Sequence, residues 1–158
     1  MADKLAFPGG LFLAALVVLV GVACWTDITR RKIPNGICAL TALLGIAYVA
    51  VLQGPHGALL SLAHMAAALV VTMGLFALRA IGAGDAKFYA AMATWLPIND
   101  GVLLLVAVAI CGFVLLLLFI ATRLRGRAHR SAAERSDFDK LPYGVAIAVG
   151  GLTAIALS

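Results

Sequence analysis

The run from Ile33 to Leu78, IPNGICALTALLGIAYVAVLQGPHGALLSLAHMAAALVVTMGLFAL, contains no Asp, Glu, Lys or Arg. A membrane span takes about 20 mostly apolar residues, so this run is long enough for two. Gln53-Gly54-Pro55-His56-Gly57 interrupts it with turn chemistry, which predicts two apolar helices joined near Gly54. Outward from this stretch, Leu5 to Thr26 is another uncharged run. Gly101 to Thr122 and Leu141 to Ser158 supply two more, the last rich in small residues. Phe88 to Asn99 is short, since a helix of about twelve residues covers about 18 Å against a hydrocarbon core of about 30 Å. It crosses only if its helix starts near Ala83, which draws Asp85 and Lys87 to the membrane boundary. A re-entrant hairpin and an interfacial helix are the alternatives. The short span is favoured and gives an all-α, polytopic membrane protein of about six transmembrane helices.

Composition agrees with that reading. The chain of 158 residues is 64% hydrophobic and 12% charged, with a mean hydropathy of +1.09, whereas soluble domains carry about 25% charged residues. A soluble globular domain is excluded. No internal repeat, low-complexity tract or soluble appendage stands out, so residues 1–158 read as a single domain. The first apolar run exceeds the core of a signal peptide, usually about 7 to 15 residues, and leads straight into a basic segment, so the first helix is expected to be retained.

Lys and Arg fix the expected orientation, because short cytoplasmic loops carry them in excess. Arg30, Arg31 and Lys32 fall in the first loop, Arg79 and Lys87 in the third, and Arg123, Arg125, Arg127, Arg130, Arg135 and Lys140 in the fifth. The second loop, around Pro55, and the fourth, Pro97 to Asp100, hold none. An even number of spans therefore puts both termini outside and all three basic loops in the cytoplasm. This bias accounts for the net charge of +5, so no nucleic-acid partner is called for. The fifth loop reads as topogenic and suited to anionic lipid. Its Glu134, Asp137 and Asp139 are a candidate contact for a basic peptide.

Against this apolar background two polar islands stand out: Asp27-Ile28-Thr29-Arg30-Arg31-Lys32-Ile33-Pro34-Asn35 and Gly82-Ala83-Gly84-Asp85-Ala86-Lys87. A carboxylate costs about 2.5 to 3.5 kcal/mol at the centre of a membrane helix and less near its surface, so Asp27 and Asp85 point to function. Both fall on the expected cytoplasmic side. Basic residues as topology signals and Pro34 as a helix opener account for the rest of the first island, but not for Asp27. Gly82 and Gly84 would let the backbone turn into a helix and let a peptide or neighbouring helix come close.

Other chemistries fit poorly. Cys24, Cys38 and Cys111 form no CxxC pair and read as small core residues rather than a zinc site or disulfide framework. A thiol nucleophile at Cys24 would need a nearby histidine, but His56 and His64 belong toward the outer face and His129 to a distant basic loop. The serines lack a neighbouring base or nucleophile-elbow glycines. The spacing of His56 and His64 is wrong for a metal pair on one helix face. No metal or other cofactor is called for.

The two islands, extended through Phe88, resemble the signature motifs of the type IV prepilin peptidases, membrane aspartic proteases of the GxGD type. Leu141-Pro142-Tyr143-Gly144-Val145-Ala146-Ile147-Ala148 is similar to the segment that opens the last helix of that family. Val145 departs from the proline many members carry there. The resemblance runs the length of the chain in order and spacing. It implies Asp27 and Asp85 as the catalytic pair, with Gly82, Gly84, Lys87, Arg31, Pro34, Asn35, Pro142, Tyr143 and Gly144 in support. It also implies a prepilin or pseudopilin substrate with a short basic leader, cut at the cytoplasmic face of a bacterial inner membrane.

Longer members carry a cytoplasmic region with paired CxxC motifs and methylate the new pilin N-terminus. This chain resembles instead the short form of tight-adherence (Flp-type) pilus systems, so peptidase activity without methylation is expected. Lys87 is expected to anchor its helix or reach headgroups rather than transfer protons. Two rivals belong to other classes. One is a small transporter using its aspartates for protons or a cation, the other a structural subunit of a secretion assembly. Clustering of both aspartates at one face, with no charge mid-span in the longer helices, disfavours the transporter. A structural subunit would tolerate Asp-to-Asn changes.

Overall fold

The structure, a computed structural model, describes residues 8–126 and 142–158, with side chains through Thr122 in the first stretch. The elements in order are α1 (Gly9–Arg30), α2 (Asn35–Ala77), α3 (Ala83–Ala93), a 3₁₀ turn (Ile98–Asp100), α4 (Gly101–Gly126) and α5 (Tyr143–Leu157). The described residues contain no strand. The acidic and basic side chains of the expected fifth loop, from Arg123 to Lys140, lie outside the described residues.

α1, α2 and the segment Ile98–Thr122 are long and apolar enough to cross a membrane, and α5 is a shorter apolar helix of 15 residues. Large apolar side chains such as Leu11, Val18, Val70, Val102 and Phe113 cover their outward faces, as helices embedded in lipid require.

α2 is a hairpin. At Gly54 the backbone takes φ 73° and ψ −172°, a conformation accessible essentially to glycine alone, and Pro55 follows without an N–H to continue the ladder. On a straight helix residues eight apart are separated by about 12 Å. Here a Cβ at Gly57 would lie 3.1 Å from Val49 Cγ1. Asn35 and Thr72, at the far ends of the arms 35–53 and 55–77, accordingly reach adjacent residues of α3, Lys87 and Ala86. The break expected at Gly54-Pro55 is where the chain reverses.

α3 lies in the cleft of that hairpin. Its helix begins at Ala83, as the short-span reading requires, but ends at Ala93. Eleven residues rise about 16 Å, half a hydrocarbon core. Protein surrounds it. Ala86, Phe88 and every residue from Ala90 to Leu96 are buried, and Phe88, Met92 and Leu96 join Leu16, Leu104 and Ile147 in the fully buried core. The alanines keep its cross-section small enough to fit.

Polar anchors fix α3 at both ends. Trp95 Nε1 donates to Thr41 O at 3.0 Å, with its ring stacked on Tyr48 at 5.3 Å between centroids. Ser61 Oγ donates to Thr94 O at 2.6 Å, and His64 Nδ1 bonds Leu96 O at 3.0 Å. At the opposite end Thr72 Oγ1 donates to Ala86 O at 3.2 Å. The bonds to Thr94 and Leu96 satisfy carbonyls that the end of a short helix leaves open; those to Thr41 and Ala86 add a second donor to carbonyls within α2 and α3. α5 closes the bundle, packing on α4, α3 and α1.

Candidate active site

Asp27 occupies the last turn of α1 and is buried, 7% exposed. The helix ends just beyond it. Arg31 enters the left-handed region at φ 51° and returns its N–H to Asp27 O at 3.0 Å. Residues 31–34 then run without helix, and Pro34, at φ −61° and ψ 137°, stands just before α2. Thr26 and Thr29 bond back to their own helix, to Ala23 O and Trp25 O. Neither competes for the Asp27 carboxylate.

That carboxylate is held by α5. Gly144 N–H donates to Asp27 Oδ2 at 2.9 Å, and the amide of Val145 reaches the same group. Position 144 admits only glycine without rearrangement, because a Cβ there would lie 2.8 Å from Asp27 Oδ2 and 2.8 Å from Ile33 Cδ1. Pro142 precedes the first residue of α5, and its carbonyl accepts the Val145 N–H at 3.2 Å. Arg31, four residues past Asp27, is in electrostatic contact with it.

Asp85 lies in the first turn of α3, partly buried, with a hydrogen bond from the backbone of Gly82. Gly82 itself is extended, at φ −75° and ψ 150°, so it does not need the conformational freedom expected of it. It is used for proximity instead, since a Cβ there would lie 2.8 Å from Asp85 Oδ2. Gly84 packs on the connector, where a Cβ would make ordinary contact with the backbone N of Ile33 at 3.6 Å. Buried Ile33 thus touches Gly84 on one side and Gly144 on the other, which brings the two aspartates to one place, near enough for the Asp27 charge to act on Asp85.

Of the supporting residues, Lys87 and Asn35 also meet. Lys87 Nζ donates to Asn35 Oδ1 at 3.1 Å on the exposed side, so the two islands are joined by a direct bond. Tyr143 turns the other way, its hydroxyl 3.2 Å from where a Cβ on Gly112 of α4 would lie. Ile33 and Thr72 were not singled out from sequence. An apolar residue inside a basic cluster, and a threonine late in a helix, gave no signal beyond their neighbours.

Two buried-edge carboxylates so close cannot easily ionise together, so near neutral pH such a pair tends to share one proton and can serve as acid and base at once. Among the described residues thiol catalysis at Cys24 lacks its partner: His64, bonded to Leu96 O, is at the opposite end of α3 from Asp85, whereas Cys24 neighbours Asp27. Among the described residues no group of three or more His, Cys, Asp or Glu is placed to hold a metal ion.

Residues 14–117 match the family model described as the type IV leader peptidase family, well over half the chain and including both aspartate islands. The chain belongs to that family. No curated protein and no solved structure matches it. This family member is thus a leader-peptidase-like protease built of membrane-type helices. Gly144, which holds Asp27, lies beyond the matched stretch. The two sides of the site come from α1 with α5 and from α2 with α3.

Proposed function

We propose that this chain is a membrane-embedded aspartic endopeptidase of a bacterial inner membrane. It removes the short basic leader from prepilins or pseudopilins at the cytoplasmic face. Asp27 and Asp85 activate water for attack on the scissile carbonyl, and no acyl-enzyme forms. The observation that carries this reading is the meeting of two aspartates around Ile33 in a chain of the leader peptidase family.

The basic loops supply the orientation. With α3 counted as a short, protein-sheathed crossing and α2 as two, the chain passes six times, both termini are outside, and the aspartates lie where a substrate helix enters the bilayer. A scissile peptide just before an apolar helix comes to rest at that depth. Each proton-transfer role is worth about 10² to 10⁴ in rate.

The test is cleavage of a co-expressed Flp-type prepilin by wild type, Asp27→Asn and Asp85→Asn, with membrane levels of each protein measured. The reading requires cleavage by wild type alone. Cleavage by either mutant removes the dyad, and an inert wild type brings the transporter and scaffold rivals forward.

A further inference from the structure

The two carboxylates are held differently. Asp27 faces the amino end of α5, a helix of 15 residues. It accepts the Gly144 N–H at 2.9 Å, with the Val145 amide also in reach and Arg31 nearby. Amides at a helix start carry partial positive charge and favour an anion. An ionised carboxylate only accepts hydrogen bonds, whereas a protonated one must also place an O–H. Donors converge on Asp27 from a second helix; among the described residues the donor to Asp85 is the Gly82 backbone just before its own helix.

The surrounding charges complete the asymmetry. Facing Asp27 are Cys24 on α1, Arg31 just past its end and Asp85 on α3, while α5 offers backbone amides. Facing Asp85 are Asp27 and, on α2, Cys38, which Lys87 of α3 also faces. Lys87 gives its hydrogen bond to Asn35. Among the described residues, the one cation in electrostatic contact with either carboxylate thus belongs to Asp27.

We propose that the amino end of α5 sets the division of labour in the pair, holding Asp27 as the ionised general base and leaving the proton, and the general-acid role, to Asp85. The proposal rests on the aspartic-peptidase reading and assigns its two roles. Asp27 takes a proton from water as the water oxygen bonds the scissile carbon, and Asp85 gives its proton to the carbonyl oxygen, forming a gem-diol. Asp27 then passes its proton to the amide nitrogen as the C–N bond breaks, and a diol hydroxyl returns a proton to Asp85. The products are a carboxylic acid and an amine, and both aspartates end in their starting states. Gly144 and Val145 are positioning residues, acting through Asp27.

The experiment is the pH dependence of kcat/KM for prepilin cleavage by purified wild type, Gly144→Ala and Val145→Pro, with Val145→Ala as the reference for the lost side chain. Gly144→Ala pushes a Cβ against Asp27 and displaces the carboxylate from its donor. Val145→Pro, the residue many family members carry there, deletes an amide, including its bond to Pro142 O, at a first-turn position where proline is tolerated, so cleavage persists and only the limb moves. The two perturb the cradle by different routes, so either suffices if the other fails to accumulate.

The acidic limb reports the second proton entering the pair. If Asp27 is the base, that proton lands on Asp27, and weakening its donors moves the acidic limb upward by about one pH unit, the scale of one charged hydrogen bond. The alkaline limb stays in place. Movement of the alkaline limb alone would mean that Asp27 carries the proton and would overturn the assignment. Unmoved limbs would make the α5 terminus a packing element, also refuting it. A wild type that does not cut, or a cleaving Asp27→Asn or Asp85→Asn, fails earlier, at the peptidase reading itself.

Discussion

Replacing Lys87 with methionine removes a direct side-chain bond between the two polar islands. Lys87 Nζ and Asn35 Oδ1 are 3.1 Å apart and exposed, so the contact belongs at the weak end of charge-assisted bonds, about 1 kcal/mol once water competes. If that energy holds the start of α3 in register with the start of α2, its loss lowers kcat/KM about fivefold. A slightly displaced Asp85 widens the loss to tens of fold without abolishing turnover. The assay is initial-rate cleavage of a prepilin by wild type, Lys87→Met, Asn35→Ala and the double mutant at matched membrane levels. In this cycle the double mutant should be no worse than the poorer single, because each substitution removes the same bond. Complete loss in Lys87→Met with normal protein level would refute the reasoning and put the ammonium in the chemistry. Losses that multiply in the double mutant would show that the two side chains act separately.

Three further outcomes follow from the fold. Gly54→Ala forces a side chain into a backbone conformation at φ 73° and should cost about 1 to 3 kcal/mol, seen as a lower unfolding midpoint in detergent; an unchanged midpoint contradicts the hairpin geometry. Trp95→Phe keeps the ring near Tyr48 but removes the indole N–H that reaches Thr41 O, a loss of about 0.5 to 1.5 kcal/mol because that carbonyl lies within α2 and keeps its helical bond; equal stability would show the indole N–H to be dispensable. Mass spectrometry of pilin cleaved by this chain alone should give an unmethylated N-terminus, since its cysteines form no CxxC pair; a methylated product contradicts the expected short-form activity.

Much of the site could be read from sequence because its chemistry is local. Asp27 and Asp85 stand out as carboxylates in an apolar chain, and the break at Gly54-Pro55 is visible because turn residues punctuate a charge-free run. What escaped the reading is held by pairs far apart in the chain. Nothing around Gly144 indicates that its amide binds a carboxylate 117 residues away. The close approach that requires glycine there arises only when α5 docks on α1. Lys87 reads as an anchor for its helix or a side chain bound for headgroups, and its bond to Asn35 depends on α2 reversing on itself. The exact end of α3 was also out of reach: apolar residues continue to Leu96, whereas after Ala93 the amides of Thr94, Trp95 and Leu96 bond three residues back, ahead of Pro97, and Ser61 and His64 take up the carbonyls of Thr94 and Leu96.

The arms of α2 grip α3 at both ends, so Asp85 travels with the hairpin. Asp27 is pinned by α5 and travels with the opposite wall. The pair is therefore assembled across two sides of the bundle rather than within either, with Ile33, in the connector, seated between Gly84 and Gly144. In the proposed mechanism, whatever parts those two sides disarms the pair by distance alone.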